Sequence, residues 1–162
     1  MSFSTDDIIR AYLAGAFPMA QSRNDPEVLW YIPDMRAVFD LNNIHVPRSV
    51  RSLFKKNIYS FALDTCFRKV VEGCADRDET WINDDIIDEY TKLHDRGFAH
   101  SVEVFREGRL VGGLYGGHLG AAFFGESMFG RESNVPGRTG STMRGTFTSR
   151  MSTLSSTMPS RS

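Results

Sequence analysis

Cysteine is nearly absent from this 162-residue chain, which carries only Cys66 and Cys74. Their spacing fits neither a zinc knuckle nor a CxxC redox pair. Two small core residues in a reducing compartment account for them. Long apolar runs are lacking as well: none approaches the roughly 20 residues that span a bilayer, so no membrane partner is expected. The start, MSFSTDDIIR, has no basic stretch followed by an apolar one. It reads as no signal peptide and predicts a cytoplasmic protein. Net charge is close to nil, with 19 Lys and Arg against 20 Asp and Glu, and by itself suggests no polyanionic partner. There is no internal repeat.

Acidic residues are missing from one region altogether. Every Asp and Glu lies at or before Glu132, whereas Arg138, Arg144, Arg150 and Arg161 lie beyond it. A charge split this sharp marks a compositional boundary. After Asn134 the chain is nearly half Ser and Thr, with no sustained period of 2 or 3.6. Such a stretch buries too little apolar surface to offset its chain entropy, so 135–162 is predicted to be a disordered tail. The whole chain is 41% hydrophobic and 24% charged, as in ordinary globular proteins. The length suits one domain, or a small domain plus an appendage.

Ser4 or Thr5 can cap a first helix, with Asp6 and Asp7 complementing its N-terminal dipole and Gly15 stopping it. Phe17 to Pro33 reads as irregular and aromatic, punctuated by Pro18, Pro26 and Pro33. Arg36 to Leu41 reads as a short strand. Pro47 suits the first turn of a helix with Val50, Leu53 and Phe54 on its apolar side. Phe61 to Leu63 could form another strand. Asp64 can cap a helix in which Phe67, Val70, Val71 and Cys74 recur at helical spacing. Asn83 caps a further helix through Ile86, Ile87, Tyr90 and Leu93, closed by Gly97. Ser101 to Phe105, a Glu107-Gly108 turn, a Gly-rich run to Tyr115, and Ala121 to Phe129 then read as successive strands. Helices followed by adjacent strands predict an α+β fold with antiparallel pairing.

Several apparent motifs fail on their chemistry. Gly125-Glu126-Ser127 suggests a hydrolase elbow, but Phe129 stands where the second Gly is required. Gly137-Arg138-Thr139-Gly140 lacks the Lys and following helix of a phosphate loop. His94 and His100 sit at a helix end and a strand start without a third ligand at recognisable spacing, so structural roles are expected and no metal. Arg48, Arg51, Lys55 and Lys56, by contrast, fall within two or three helical turns without an intervening acid. They make either a solvated helix face or a surface for nucleic-acid phosphates.

The segments AYLAGAFPM, LWYIPDMRAVF, HVPRSVRSLFKK, CFRKVVEGCA, ETWI, LHDRGFAHSVEV, LVGGLYG and FFGESMFGRESN stand in a telling order and spacing. Through them the chain resembles the leucyl/phenylalanyl-tRNA–protein transferases up to about residue 133. The resemblance implies a small N-terminal segment over 1–33 and a GNAT-like aminoacyltransferase domain over 34–134. It implies transfer of Leu or Phe from aminoacyl-tRNA to the N-terminal Arg or Lys of proteins, marking them for N-end rule degradation. No metal or organic cofactor is needed. The family's later helix and strand, the latter bearing an Asp and a Gln near the reacting amine, have no readable counterpart past Asn134. The domain is therefore expected to be incomplete, with a tail from another reading frame or an unrelated replacement.

The donor is an already activated ester and the nucleophile an α-amine, so orientation, amine deprotonation and oxyanion stabilisation can carry the reaction. The resemblance assigns the roles residue by residue. Glu126 is the site carboxylate, expected to be partly buried at its strand end. Leu114 and Phe123 form the aminoacyl pocket. Trp81, Tyr12 and Met19 receive the 3′ adenosine, with Met19 standing where many members carry Trp. Arg48, Arg51, Lys55 and Lys56 hold the tRNA backbone. Two other readings compete. An acetyl-CoA-dependent N-acyltransferase needs a Gly-rich pyrophosphate loop, which GRESNVPG does not supply. A non-catalytic tRNA-binding remnant would keep the basic helix and aromatics alone.

Overall fold

The structure, a computed structural model, describes residues 3–35, 37, 38, 43 and 45–132. The chain forms α1 (Thr5–Leu13), a hairpin of β1 (Phe17–Ala20) and β2 (Val28–Tyr31), and α2 (Arg48–Lys55). There follow β3 (Ser60–Leu63), α3 (Phe67–Ala75), α4 (Asp84–Asp95), β4 (Ala99–Arg106), β5 (Arg109–Leu119) and β6 (Ala122–Gly130). The last four strands make one antiparallel sheet in the order β3-β4-β5-β6. The class is α+β. Among the described residues no helix is long and apolar enough to cross a membrane.

Local signals explain most helix ends. Ser4 caps α1, its hydroxyl accepting from the Asp7 amide, and Asp6 and Asp7 occupy the first turn. Asn83 caps α4 by accepting from the Ile86 amide at 2.9 Å, while Gly97 follows it at positive φ. Glu107 and Gly108, both at positive φ, turn β4 into β5.

Two expectations need correction. The aromatic stretch after Phe17 is not wholly irregular: it contains the β1–β2 hairpin, in which Met19 pairs with Leu29 and Pro18 with Trp30. Proline is tolerated in a strand at the edge of such a small sheet. Asp64 does not cap α3, whose N-cap is Cys66 without a side-chain hydrogen bond. Asp64 sits at positive φ and turns its carboxylate to β4, accepting from the Ser101 amide at 2.8 Å and lying 2.7 Å from His100 Nδ1. The strand expected over Arg36 to Leu41 lies outside the described residues except for Ala37 and Val38, and the tail beyond Asn134 lies outside them entirely.

The sheet separates two apolar layers. On one face α1, α3 and α4 pack Ile8, Tyr12, Val70, Val71, Ile86, Tyr90 and Leu93 against Tyr115, Phe124 and Phe129. On the other, Val102, Val104, Val111 and Leu114 gather with Phe61, Phe123 and Met128. Phe54 of α2 stacks on Phe61, ring centroids 5.0 Å apart, which sets the basic helix beside that second layer.

Candidate functional site

The site is built from a break in the sheet. Tyr115 pairs with Ser127 and Gly116 with Gly125, leaving Glu126 as an extra residue on β6. Such a β-bulge redirects side chains and interrupts the regular alternation. Glu126 thereby reaches the helical layer, where the Tyr12 hydroxyl donates to its Oε1 at 2.5 Å. Tyr12 is held on three sides. Its ring stacks on Phe124 at 5.0 Å and 10°. It lies over Gly117, where a Cβ would come within 2.2 Å of the ring. Its oxygen is also 2.7 Å from the Tyr90 hydroxyl. Because the one Tyr12 proton is given to the carboxylate, Tyr90 is the donor in that second contact.

Burial pushes the Tyr12 hydroxyl well above its usual pKa, with Tyr90 and Glu126 adding to the effect. Burial raises Tyr90 in the same direction. Both phenols therefore stay protonated at neutral pH, Tyr12 donating to Glu126 and Tyr90 to Tyr12. Burial also pushes the Cys74 thiol up to about 12, which leaves it an inert core group.

Trp81 belongs to the loop between α3 and α4, half-buried against the helical layer. Its carbonyl accepts from the Ala20 amide at 3.1 Å, and Asn83 Nδ2 donates to the Asp25 carbonyl at 2.8 Å. These bonds stitch the loop to the β1–β2 hairpin, so Trp81 and Met19 flank one seam. Leu114 and Phe123 meet on the opposite face of the sheet, together with Met128. Between them the paired Gly116 and Gly125 present no side chains. Leu114 Cδ1 is 3.8 Å from the Cβ position of Gly125, and the Phe123 ring is 2.6 Å from that of Gly116. Arg48, Arg51 and Lys55 of α2 and Lys56, which caps it, are all exposed.

The candidate residues thus fall into four groups. Tyr12 and Glu126 touch directly, Trp81 and Met19 belong to the loop and the hairpin joined by the Ala20–Trp81 bond, Leu114 and Phe123 share the other sheet face, and the basic residues stand apart at α2. Tyr90 and the bulge were not singled out in the sequence. The only sign of Tyr90's role is its place on the apolar stripe of α4, which is also the sign of an ordinary core residue.

A second cluster could attract a metal. Among the described residues Asp64, His94 and His100 bring donor atoms within 4.8 Å of one another. Each is already engaged within the protein. His94 Nδ1 lies 2.8 Å from the Ala99 carbonyl, and its ring stacks on Phe67. Asp64 serves His100 and the Ser101 amide. The arrangement is a hydrogen-bonded latch between β3 and β4.

The sequence model of the leucyl/phenylalanyl-tRNA protein transferases matches residues 38–139, and that of their N-terminal domain matches residues 1–34. The chain belongs to this transferase family. Relatives named leucyl/phenylalanyl-tRNA–protein transferase include one from Ruegeria sp. (strain TM1040), 50% identical over 135 residues, which cover 83% of this chain and 64% of the relative. Another, from Dinoroseobacter shibae, is 51% identical over 129 residues, covering 80% and 58% respectively. The chain thus spans about three-fifths of the length of these curated relatives. Within the transferase family's matched span lie Glu126, Leu114, Phe123 and Trp81, while Tyr12 and Met19 fall in the N-terminal match.

Proposed function

We propose that this chain moves a leucyl or phenylalanyl group from aminoacyl-tRNA to the N-terminal Arg or Lys of proteins, marking them for N-end rule degradation. The observation that carries the reading is the bulged Glu126, held by the Tyr90–Tyr12 pair in a chain of this family. In this reading the sheet with α2 to α4 is a GNAT-like domain over 34–134, preceded by a segment over 1–33.

The donor arrives as an activated ester, so the protein's work is to position it and to manage charge. Trp81 stacks the unpaired 3′ adenosine with Met19 against it, and Tyr12 supports that end from beneath through its bond to Glu126. Leu114 and Phe123, which pack beside Gly116 and Gly125, receive the Leu or Phe side chain; size alone discriminates there, at roughly 1–3 kcal/mol per methylene. Glu126 orients the reacting amine and stabilises its positive charge. The four cations of α2 hold backbone phosphates. No cofactor is called for, and the reading places the reaction in the cytoplasm.

The test mixes the chain with radiolabelled Leu-tRNA or Phe-tRNA and a peptide beginning with Arg or Lys, with acetyl-CoA in a parallel tube. Transfer from tRNA, reduced at least a hundredfold by Glu126→Ala, is the expected result. Transfer from acetyl-CoA overturns the reading. Salt-sensitive tRNA binding without transfer reduces it to a tRNA-binding protein.

A further inference from the structure

Arg77 stands beside the bulge and has no part in the function described so far. Its Nε donates to the Cys74 carbonyl at 2.8 Å, at the end of α3. Its Nη2 donates to Ser127 Oγ at 3.1 Å and to the Met128 carbonyl at 3.2 Å, on β6 immediately after Glu126. A guanidinium carries five N–H groups. Three are spent on these contacts, and the two on Nη1 have no partner among the described residues.

The other guanidiniums around α3 are differently placed. Arg131 pairs with Asp76, and Arg68, at the helix start, with Glu72 and Asp88. Arg23 donates to the Ala75 carbonyl from the hairpin turn. Arg77 makes no ion pair among the described residues, although Asp76 and Asp78 flank it in sequence. Its charge is therefore hydrogen-bonded in place, exposed to solvent and uncompensated by a carboxylate. It is also four residues from Trp81 in the same connection, and its contacts to Ser127 and Met128 set it beside Glu126 on β6.

We propose that Arg77 binds the phosphate of the donor's terminal nucleotide, an assignment that rests on the aminoacyl-tRNA reading above. An adenosine stacked at Trp81, with its esterified ribose near Glu126, would bring its 5′ phosphate within reach of the free Nη1, which donates to a phosphate oxygen from a guanidinium already fixed by neutral acceptors. Because Nε and Nη2 are tethered beforehand, little side-chain entropy remains to be lost on binding. Arg77 then positions the donor and does not take part in bond making.

The experiment compares two probes: a non-hydrolysable amide of phenylalanyl-adenosine, with and without a 5′ phosphate, titrated against the full chain. In the wild type the phosphate is expected to tighten binding by about tenfold at low salt, as a charge-assisted hydrogen bond does, and the gain should shrink as salt is raised. Arg77→Gln should abolish that gain while leaving the unphosphorylated probe's affinity within about twofold, since a purely structural tie would weaken both probes alike. Arg77→Lys should keep part of it. The assignment is overturned if the wild type binds both probes equally, if its phosphate gain is insensitive to salt, or if Arg77→Gln retains the gain. Should Arg77→Gln lose its thermal transition, the salt titration and Arg77→Lys decide. A wild type that binds neither probe, yet keeps a folded transition, overturns the aminoacyl-tRNA reading itself.

Discussion

Three buried tyrosines meet in this protein, and their hydroxyls differ in worth. Tyr12 and Tyr90 share one chain of hydrogen bonds ending on Glu126. The Tyr115 ring lies edge-on to Tyr90 at 5.3 Å, yet its hydroxyl has no partner among the described residues. Removing a hydroxyl that serves two partners strands both, whereas removing an unserved one strands none. Tyr12→Phe should therefore cost about 1–3 kcal/mol in urea unfolding, while Tyr115→Phe should be neutral or stabilising. Equal costs at the two positions would refute the network. The Asp64 hydrogen bond, opposed by partial burial, raises His100 above its usual pKa. The folded chain therefore favours the imidazolium. That contribution is fully present below the unfolded pKa near 6.5 and fades as pH climbs through the higher folded value. Asp64→Asn should accordingly lower the melting temperature more at about pH 5.5 than at about pH 8.5. A loss of the same size at both pH values would show that only the Ser101 bond mattered.

At the scale of elements, α3 can lie close on the sheet because two glycines face the crossing. A Cβ on Gly113 would come within 2.9 Å of Val70, and one on Gly73 within 2.7 Å of the Phe129 ring. Gly113→Ala should therefore destabilise the fold by about 1–3 kcal/mol through overpacking, read as a shifted urea midpoint with an unchanged slope. Gly117→Ala should act differently. Its Cβ would collide with the Tyr12 ring, so the variant should weaken the Tyr12–Glu126 bond and lower transfer more than it lowers stability. The elements themselves were largely legible. Ser4, Asn83 and the Glu107-Gly108 turn announce their structures by local chemistry, and the apolar stripes of α3 and α4 fall where helical spacing puts them. The hairpin after Phe17 was not legible, because proline and aromatic density read as loop until the antiparallel partner is known. Asp64 was misleading for a related reason: a carboxylate before a helix reads as a cap, and only the neighbouring strand supplies the better partners.

For the whole molecule, near-neutral charge hides an uneven distribution. The cations of α2 are exposed together while much of the acidic surface lies on α1 and α4, which carry Asp6, Asp7, Asp84 and Asp85 in their first turns. If α2 grips RNA phosphates, replacing Arg48, Arg51, Lys55 and Lys56 by Gln should flatten the dependence of tRNA affinity on salt by about 3 in log–log slope, at roughly 0.7–0.9 per phosphate contact. An unchanged slope would return the cluster to a solvated helix face. The family could be recognised from linear order alone, since the spacing of the motifs that hold Tyr12, Trp81 and Glu126 is a property of the chain. Which of them touch could not. Glu126 meets Tyr12 because a bulge turns it toward the helices, and Leu114 meets Phe123 across two paired glycines. Those contacts depend on strand register and on packing between residues up to 114 positions apart, which no local propensity encodes.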